Sequence, residues 1–284
     1  MIKANNIVSK SVAAFVGTIE SIKDAARQIE YTKYNLKWLD EFETVLYSWN
    51  GDESLINNTI LDIRGLLKPS VELLYSNNIG PVFGAMDNDC KIFDYTKTRH
   101  NIDYIWKFSN DTIADETLLN IDIDDSYDFF YINNIGYSAF SNKTKEELLK
   151  DIQTQSYFYP QTNYYIVKNV LETWYPSRQD ILHYKALYEN IVQTHPEHKP
   201  WDALQGETVG LIGNQGCDCE HMLAKTLRAN NLKSCHLLND IDTMKIIDLI
   251  YSHKIHDGSH KNIMYTNVGN LCHYHVINHP VAPI

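Results

Sequence analysis

Basic charge is in short supply in this chain: 25 Lys and Arg face 36 Asp and Glu, a formal net charge of −11 over 284 residues. A nonspecific nucleic-acid binder needs a basic face to displace counterions, and so does a protein that docks on an anionic membrane, so neither partner is expected. Long hydrophobic runs are missing too. No uninterrupted apolar stretch is long enough to cross a bilayer, and the N-terminal one, Ser11–Val16, is too short for a secretory h-region. The expectation is a soluble, cytoplasmic protein. A disulfide framework is also lacking, because Cys90, Cys217, Cys219, Cys235 and Cys272 make an odd set in a large chain. That set fits a reducing compartment. There is no internal repeat and no low-complexity tract.

What is present is ordinary globular composition, 44% apolar and 21% charged, in a chain long enough for one large domain or two small ones. The wealth of Asn, Ile, Lys and Tyr resembles the product of an AT-rich genome, as in many phages and some intracellular bacteria. Three-to-four-residue spacing of Phe15, Ile19, Ile22, Ala26 and Ile29, then of Leu36, Leu39, Phe42, Val45 and Leu46, predicts helix over about Ser9–Trp49, stopped at Asn50-Gly51-Asp52. A second helix is predicted over Leu55–Tyr75, interrupted at Pro69. Looser alternation around Asp87-Asn88-Asp89 predicts a hairpin within Pro81–Tyr95, and aromatic runs predict strands at 103–108 and 127–135. Thr144 with Glu147, and Ser177 with Asp180, read as capping boxes opening helices at 145–152 and 180–193. The polar segment His195–Pro200 is the expected boundary between regions 1–195 and 196–284. Beyond it, helices at about 218–229 and 243–253, a strand at 234–238 and a hairpin at 263–277 are expected.

Two motifs fail on inspection. Asp122, Asp124, Asp125 and Asp128 suggest a calcium loop, but the positions that need Gly and Glu hold Tyr127 and Asn133, which leaves a solvated acidic loop. Gly206, Gly210, Gly213 and Gly216 lack both the Gly-Lys-Ser/Thr ending of a phosphate loop and the spacing of a dinucleotide fingerprint.

The segment Gly216-Cys217-Asp218-Cys219-Glu220-His221 puts two thiols at the start of a predicted helix. The helix N-terminus stabilises thiolate, and its free N–H groups can receive an oxyanion. A thiolate nucleophile needs a base and a residue that orients the base. His260, before the first predicted hairpin strand, and Asn278, closing the second, supply both in papain-like order. With Trp201 and Glu207 upstream and Leu227-Arg228-Ala229 downstream, residues 200–280 resemble the nucleophile region of transglutaminase-like cysteine enzymes. The chain departs from that pattern in holding Cys217 for Gly, His221 for an acid and Asn278 for Asp.

The resemblance implies Cys219 as nucleophile, His260 as base, Asn278 as orienter and Gln215 as an oxyanion donor, with Cys217 and His275 in reserve. It implies no cofactor. The same residues admit two other readings. Cys217, Cys219, His221, Cys272, His273 and His275 could ligate a structural zinc, although Cys-x-Cys spacing is untypical and Cys272 falls on the opposite strand face from His273 and His275. They could equally be packed or solvated residues without chemistry.

The expected fold class is α+β: a helical N-terminal region, a mixed middle and a papain-like C-terminal region of helix followed by antiparallel strands. The expected function is a cysteine enzyme acting on an amide or peptide bond of a peptide or protein substrate through a thioester. The alternative is a non-enzymatic structural or assembly protein, for instance of a phage particle, whose partners are other protein subunits.

Overall fold

The first apolar stretches fold as strands. The computed structural model describes residues 1–76, 81–110, 112–113, 119–131, 164–169, 230–236 and 272–273, with scattered positions between 144 and 194. A short strand β1 (Ile2–Lys3) and two 3-10 turns lead into β2 (Ser11–Ile19). Then follow α1 (Ile22–Leu39), β3 (Thr44–Gly51), α2 (Glu53–Arg64), β4 (Ser70–Ser76), α3 (Pro81–Thr96) and β5 (Tyr104–Ser109). The later strands are β6 (Thr112–Ile113), β7 (Asp122–Ile123), β8 (Phe129–Tyr131), β9 (Tyr164–Lys168), β10 (Ser234–His236) and β11 (Cys272–His273).

Seven of these strands form one sheet in the order β10-β8-β9-β5-β2-β3-β4. β5, β2, β3 and β4 are mutually parallel, β9 runs antiparallel to both β5 and β8, and β10 is parallel to β8. Two small antiparallel pairs, β1 with β7 and β6 with β11, lie outside it. From β2 the chain steps outward to β3 and β4, then returns to lay β5 on the other flank of β2. Parallel crossovers are right-handed, so this reversal places α1 and α2 on one face and α3 on the other. The sheet is therefore doubly wound.

Side chains confirm the two faces. Ala13 and Phe15 of β2, Val45, Tyr47 and Trp49 of β3, and Trp106 and Phe108 of β5 share one core cluster with Trp38 of α1 and Ile56, Ile60 and Ile63 of α2. Ring centroids of Phe15 lie 5.4 Å from Tyr47 and 5.2 Å from Phe108, and Trp38 lies 5.0 Å from Phe108. Burial pushes the Tyr47 phenol well above its ordinary pKa, against the opposing hydrogen bond to Thr32 at 3.0 Å. The indole N–H groups of Trp49 and Trp106 are buried here without an acceptor.

The expected α+β class is thus corrected. Ser9–Trp49 is strand, helix, strand, and only 22–39 of it is helical. Strands buried on both faces read as continuous apolar runs, and such runs satisfy a helical spacing as readily as a strand one. The predicted helix at 55–75 ends at Arg64, and its second half is β4, entered just after Pro69. The predicted hairpin around Asp87-Asn88-Asp89 is the helix α3, in which those three polar residues are buried. The strands expected near 103–108, 127–135 and 234–238 are present as β5, β8 and β10. Thr144 and Glu147 make the reciprocal capping bonds, Glu147 N–H to Thr144 Oγ1 at 3.2 Å and Thr144 N–H to Glu147 Oε2 at 2.8 Å. Of the hairpin expected at 263–277 only Cys272–His273 is described, and it pairs with Thr112–Ile113. The remaining C-terminal elements lie outside the described residues.

Candidate functional site

In open parallel sheets ligands bind beyond the carboxyl ends of the strands, where the order reverses. Here that point lies between β2 and β5, with β3 alongside. The β2-α1-β3-α2-β4 unit has the order 3-2-1 of a mononucleotide-binding half, and β5 on the other flank of β2 marks the reversal.

Four residues meet at this edge, where the fold class places its ligand crevice. Asn110, just past β5, donates its backbone N–H to Val16 O at 2.9 Å. Its side chain lies over Gly17, where an added Cβ would fall 2.1 Å from Asn110 Nδ2 and 2.7 Å from its Cβ. Glycine is therefore required at 17 if Asn110 is to lie there. From α3, Asn88 donates Nδ2 to Gly17 O at 3.2 Å and accepts at its carbonyl from Ser48 Oγ at 2.8 Å. Asn50, near the end of β3 and paired across the ladder with Thr18, is 2% exposed, and its Oδ1 has no hydrogen-bond donor. A buried acceptor left unmade costs about 1–3 kcal/mol.

The α3 face of the sheet turns polar along the strands toward this edge. Its layers run Val12 and Ile105, then Ala14, Leu46 and Lys107, then Val16, Ser48 and Ser109, and finally Thr18 and Asn50. Lys107 Nζ lies 3.8 Å from Asp89 Oδ1, both side chains buried. At the bend from β3 to α2, Gly51 has φ +117°, and a Cβ there would meet Ile19 O at 2.0 Å.

The helix starts at this edge carry negative charge already. Ser21 caps α1, its Oγ donating to Asp24 Oδ2 at 2.7 Å and accepting from Asp24 N–H at 3.2 Å. Asp52 caps α2, accepting from Leu55 N–H at 2.8 Å. Carboxylates thus take the place that a phosphate takes at the helix start of a dinucleotide fold. Among the described residues no three His, Cys, Asp or Glu side chains converge to hold a metal ion. A separate cleft of about 140 Å³ opens at the amino ends, lined by Ser11, Val12, Thr44, Tyr95, Arg99 and Ile102. It lies on the side of the sheet where parallel folds do not place their chemistry.

The sequence-predicted site residues Gln215, Cys217, Cys219, His260, His275 and Asn278 all lie outside the described residues. Cys90 is buried on α3 and Cys235 half-buried against the core, as small hydrophobes, and burial pushes the Cys235 thiol up. The acidic run is used structurally. Asp122 pairs with Lys3 at 2.8 Å, Asp125 with Lys168 at 3.1 Å, and Asp128 Oδ2 accepts from Lys233 N–H at 3.0 Å. Sequence reasoning took Asn50-Gly51-Asp52 for a helix stop and Asp87–Asp89 for a turn, and so missed the crevice. The available signal was an Asn-Gly-Asp run at the end of an apolar segment of strand length.

No protein-family model and no curated protein matches the sequence. Solved structures that the fold resembles include the galactosyltransferase LgtC with donor and acceptor sugar analogues, at 11% identity and a TM-score of 0.43, covering 79% of this chain and 72% of that one. Core-mannan synthase A of Aspergillus fumigatus, in a manganese and GDP form, is similar at 9% identity and a TM-score of 0.40, covering 80% and 72%. Mouse xyloside xylosyltransferase 1 is similar at 10% identity and a TM-score of 0.35, covering 80% and 85%. The papain-like expectation is corrected by the sheet itself, which is doubly wound α/β; the solved structures it resembles are glycosyltransferases, not transglutaminase-like enzymes. The expected cysteine-dependent amide chemistry is corrected together with the papain-like fold that implied it, and nothing among the described residues supports the alternative of a structural or phage-particle protein. No helix among the described residues is long and apolar enough to cross a membrane.

Proposed function

We propose that this chain binds a nucleotide-linked sugar in the crevice at the carboxyl ends of β2, β3 and β5, and transfers the sugar to an acceptor. The observation that carries the binding half is Asn50 Oδ1, a buried acceptor without a donor beside the switch point of a mononucleotide-type sheet. A ligand N–H or O–H would satisfy it. The surrounding groups are neutral amides and hydroxyls (Thr18, Ser48, Asn88, Ser109 and Asn110), which suit a ligand rich in hydroxyls. Sugar as the transferred group is the activity named for the similar structures, and it stands or falls by assay.

Calorimetric titration with the common nucleoside diphosphates and their sugar conjugates, with and without divalent cations, tests the binding. At least one should bind, and Gly17→Ala, which drives a methyl into Asn110, should weaken that binding tenfold or more. Absence of binding by any of them at millimolar concentration would sink the reading. Release of nucleoside diphosphate from the bound conjugate, with sugar appearing on an acceptor, tests the transfer. Binding without any turnover across an acceptor panel would reduce the protein to a binder.

A further inference from the structure

Lys107 and Asp89 stand apart from every other ion pair among the described residues. Their side chains are 5% and 1% exposed, with Nζ 3.8 Å from Oδ1, whereas each of the others has at least one partner 34% exposed or more. Taking two charges out of water is costly, and well-packed apolar side chains in the same place are often no less stable. The same face is apolar in the layer below, at Val12 and Ile105, so the fold has that solution at hand. What the pair adds is placement. Asp89 follows Asn88, which holds β2 through Gly17 O and β3 through Ser48 Oγ. Lys107 lies on β5, across the switch point, and Asn110 follows directly after the end of that strand. Residues 88 and 89 therefore fasten α3 to three strands at once, on both sides of the crevice floor.

We propose that Lys107 and Asp89 are a positioning pair: by tying α3 to β5, they hold Asn110 over Gly17 in the geometry that admits ligand. This rests on the reading of the crevice as the ligand site. The pair touches no ligand itself. It fixes the register of α3 against β5, and Asn88, one residue along the same helix, then fixes the carbonyl of Gly17 beneath Asn110.

The test replaces both charges together, so that the interior loses a balanced pair and gains no net charge. Lys107→Met with Asp89→Leu keeps bulk without charge and should leave the urea midpoint close to that of the parent chain. In that folded variant, amide exchange at Asn110, whose N–H is bound to Val16 O, should accelerate at least tenfold while exchange in α1 and β3 stays unchanged. Affinity for the nucleoside diphosphate that the parent chain binds should fall about tenfold. Unchanged exchange at Asn110 overturns the positioning role. Accelerated exchange with full affinity retained overturns its link to ligand. If the parent chain binds no nucleotide, the crevice reading fails, and exchange at Asn110 still decides whether the pair positions the loop. Lys107→Arg, which keeps the charge, should restore slow exchange, and a failure to do so argues that bulk rather than charge holds the register.

Discussion

On the α1 and α2 face of the sheet, Phe15, Tyr47, Trp49, Trp106 and Phe108 interlock with Trp38 and stay apolar almost to the strand ends. On the α3 face, the matching layers pass from Val12 and Ile105 through Lys107 to Ser48, Ser109 and Asn50. Both faces are buried, yet one is lined with rings, while the other gives way toward its carboxyl edge to amides, hydroxyls and an ion pair. Ring packing contributes about 0.5–1.5 kcal/mol per aromatic pair beyond area burial, so the first face stabilises the fold. Buried polar groups contribute little net stability and carry a penalty when unsatisfied. Stability alone therefore does not account for the polar carboxyl edge of the second face.

The comparison breaks most visibly on the aromatic side. Trp38→Ala removes a side chain with no exposure that packs edge-on or tilted against Phe15, Phe42 and Phe108. It should cost about 3–5 kcal/mol in urea unfolding. Any affinity that the folded fraction retains for nucleotide should be unchanged. A loss of less than about 1 kcal/mol would mean that this face does not dominate stability, contrary to the usual cost of such truncations.

That division was only half legible in the sequence. Capping chemistry at Thr144 and Glu147 was readable because it is local: a hydroxyl and a carboxylate three residues apart meet on the first turn whatever the rest of the chain does. The aromatic strands β5 and β8 were readable for a similar reason, β-branched and aromatic residues in short runs. β2 and β3 were not. Val12–Val16 and Val45–Trp49 are apolar on both faces because helices cover both, and period cannot be read from a run with no polar phase. Missing those strands meant missing the reversal between β2 and β5, and with it the crevice, since Gly17, Asn50, Asn88 and Asn110 come together only through that topology. Asp87-Asn88-Asp89 misled because three polar residues in a row belong to a turn by composition, and only burial against Ser48, Gly17 and Lys107 holds them in a helix.

On the polar side the expected signs reverse. Asn50→Ala deletes an acceptor with no donor, so stability should change by less than about 1 kcal/mol, with the lost penalty offsetting the small cavity. Nucleotide affinity should nevertheless drop tenfold or more, a loss of about 1.4 kcal/mol in binding. Equal affinity in the variant and the parent chain would remove Asn50 from the site. A stability loss as large as that of Trp38→Ala would make the two faces alike.

The smallest effect belongs to the amino edge, where neither argument applies. The Tyr104 hydroxyl, on the first residue of β5, donates to Asp125 Oδ1 at 2.9 Å, and with Lys168 at 3.1 Å it holds the Asp125 carboxyl below its ordinary range. A carboxyl lowered in the folded state stabilises the fold above its unfolded value of about 3.9 and loses that contribution as pH falls through the lowered folded value. Asp125 is 59% exposed, so solvent screens most of the effect. Asp125→Asn should therefore cost less than about 1 kcal/mol near neutrality. It should also flatten the acid limb of the stability curve below about pH 4. Ligand affinity should not move, because Tyr104 and Asp125 lie at the opposite end of β5 from Asn110. Acid limbs that superimpose would dismiss the Tyr104–Asp125 interaction as a source of stability. A fall in affinity would show that the amino edge and the crevice are coupled along β5.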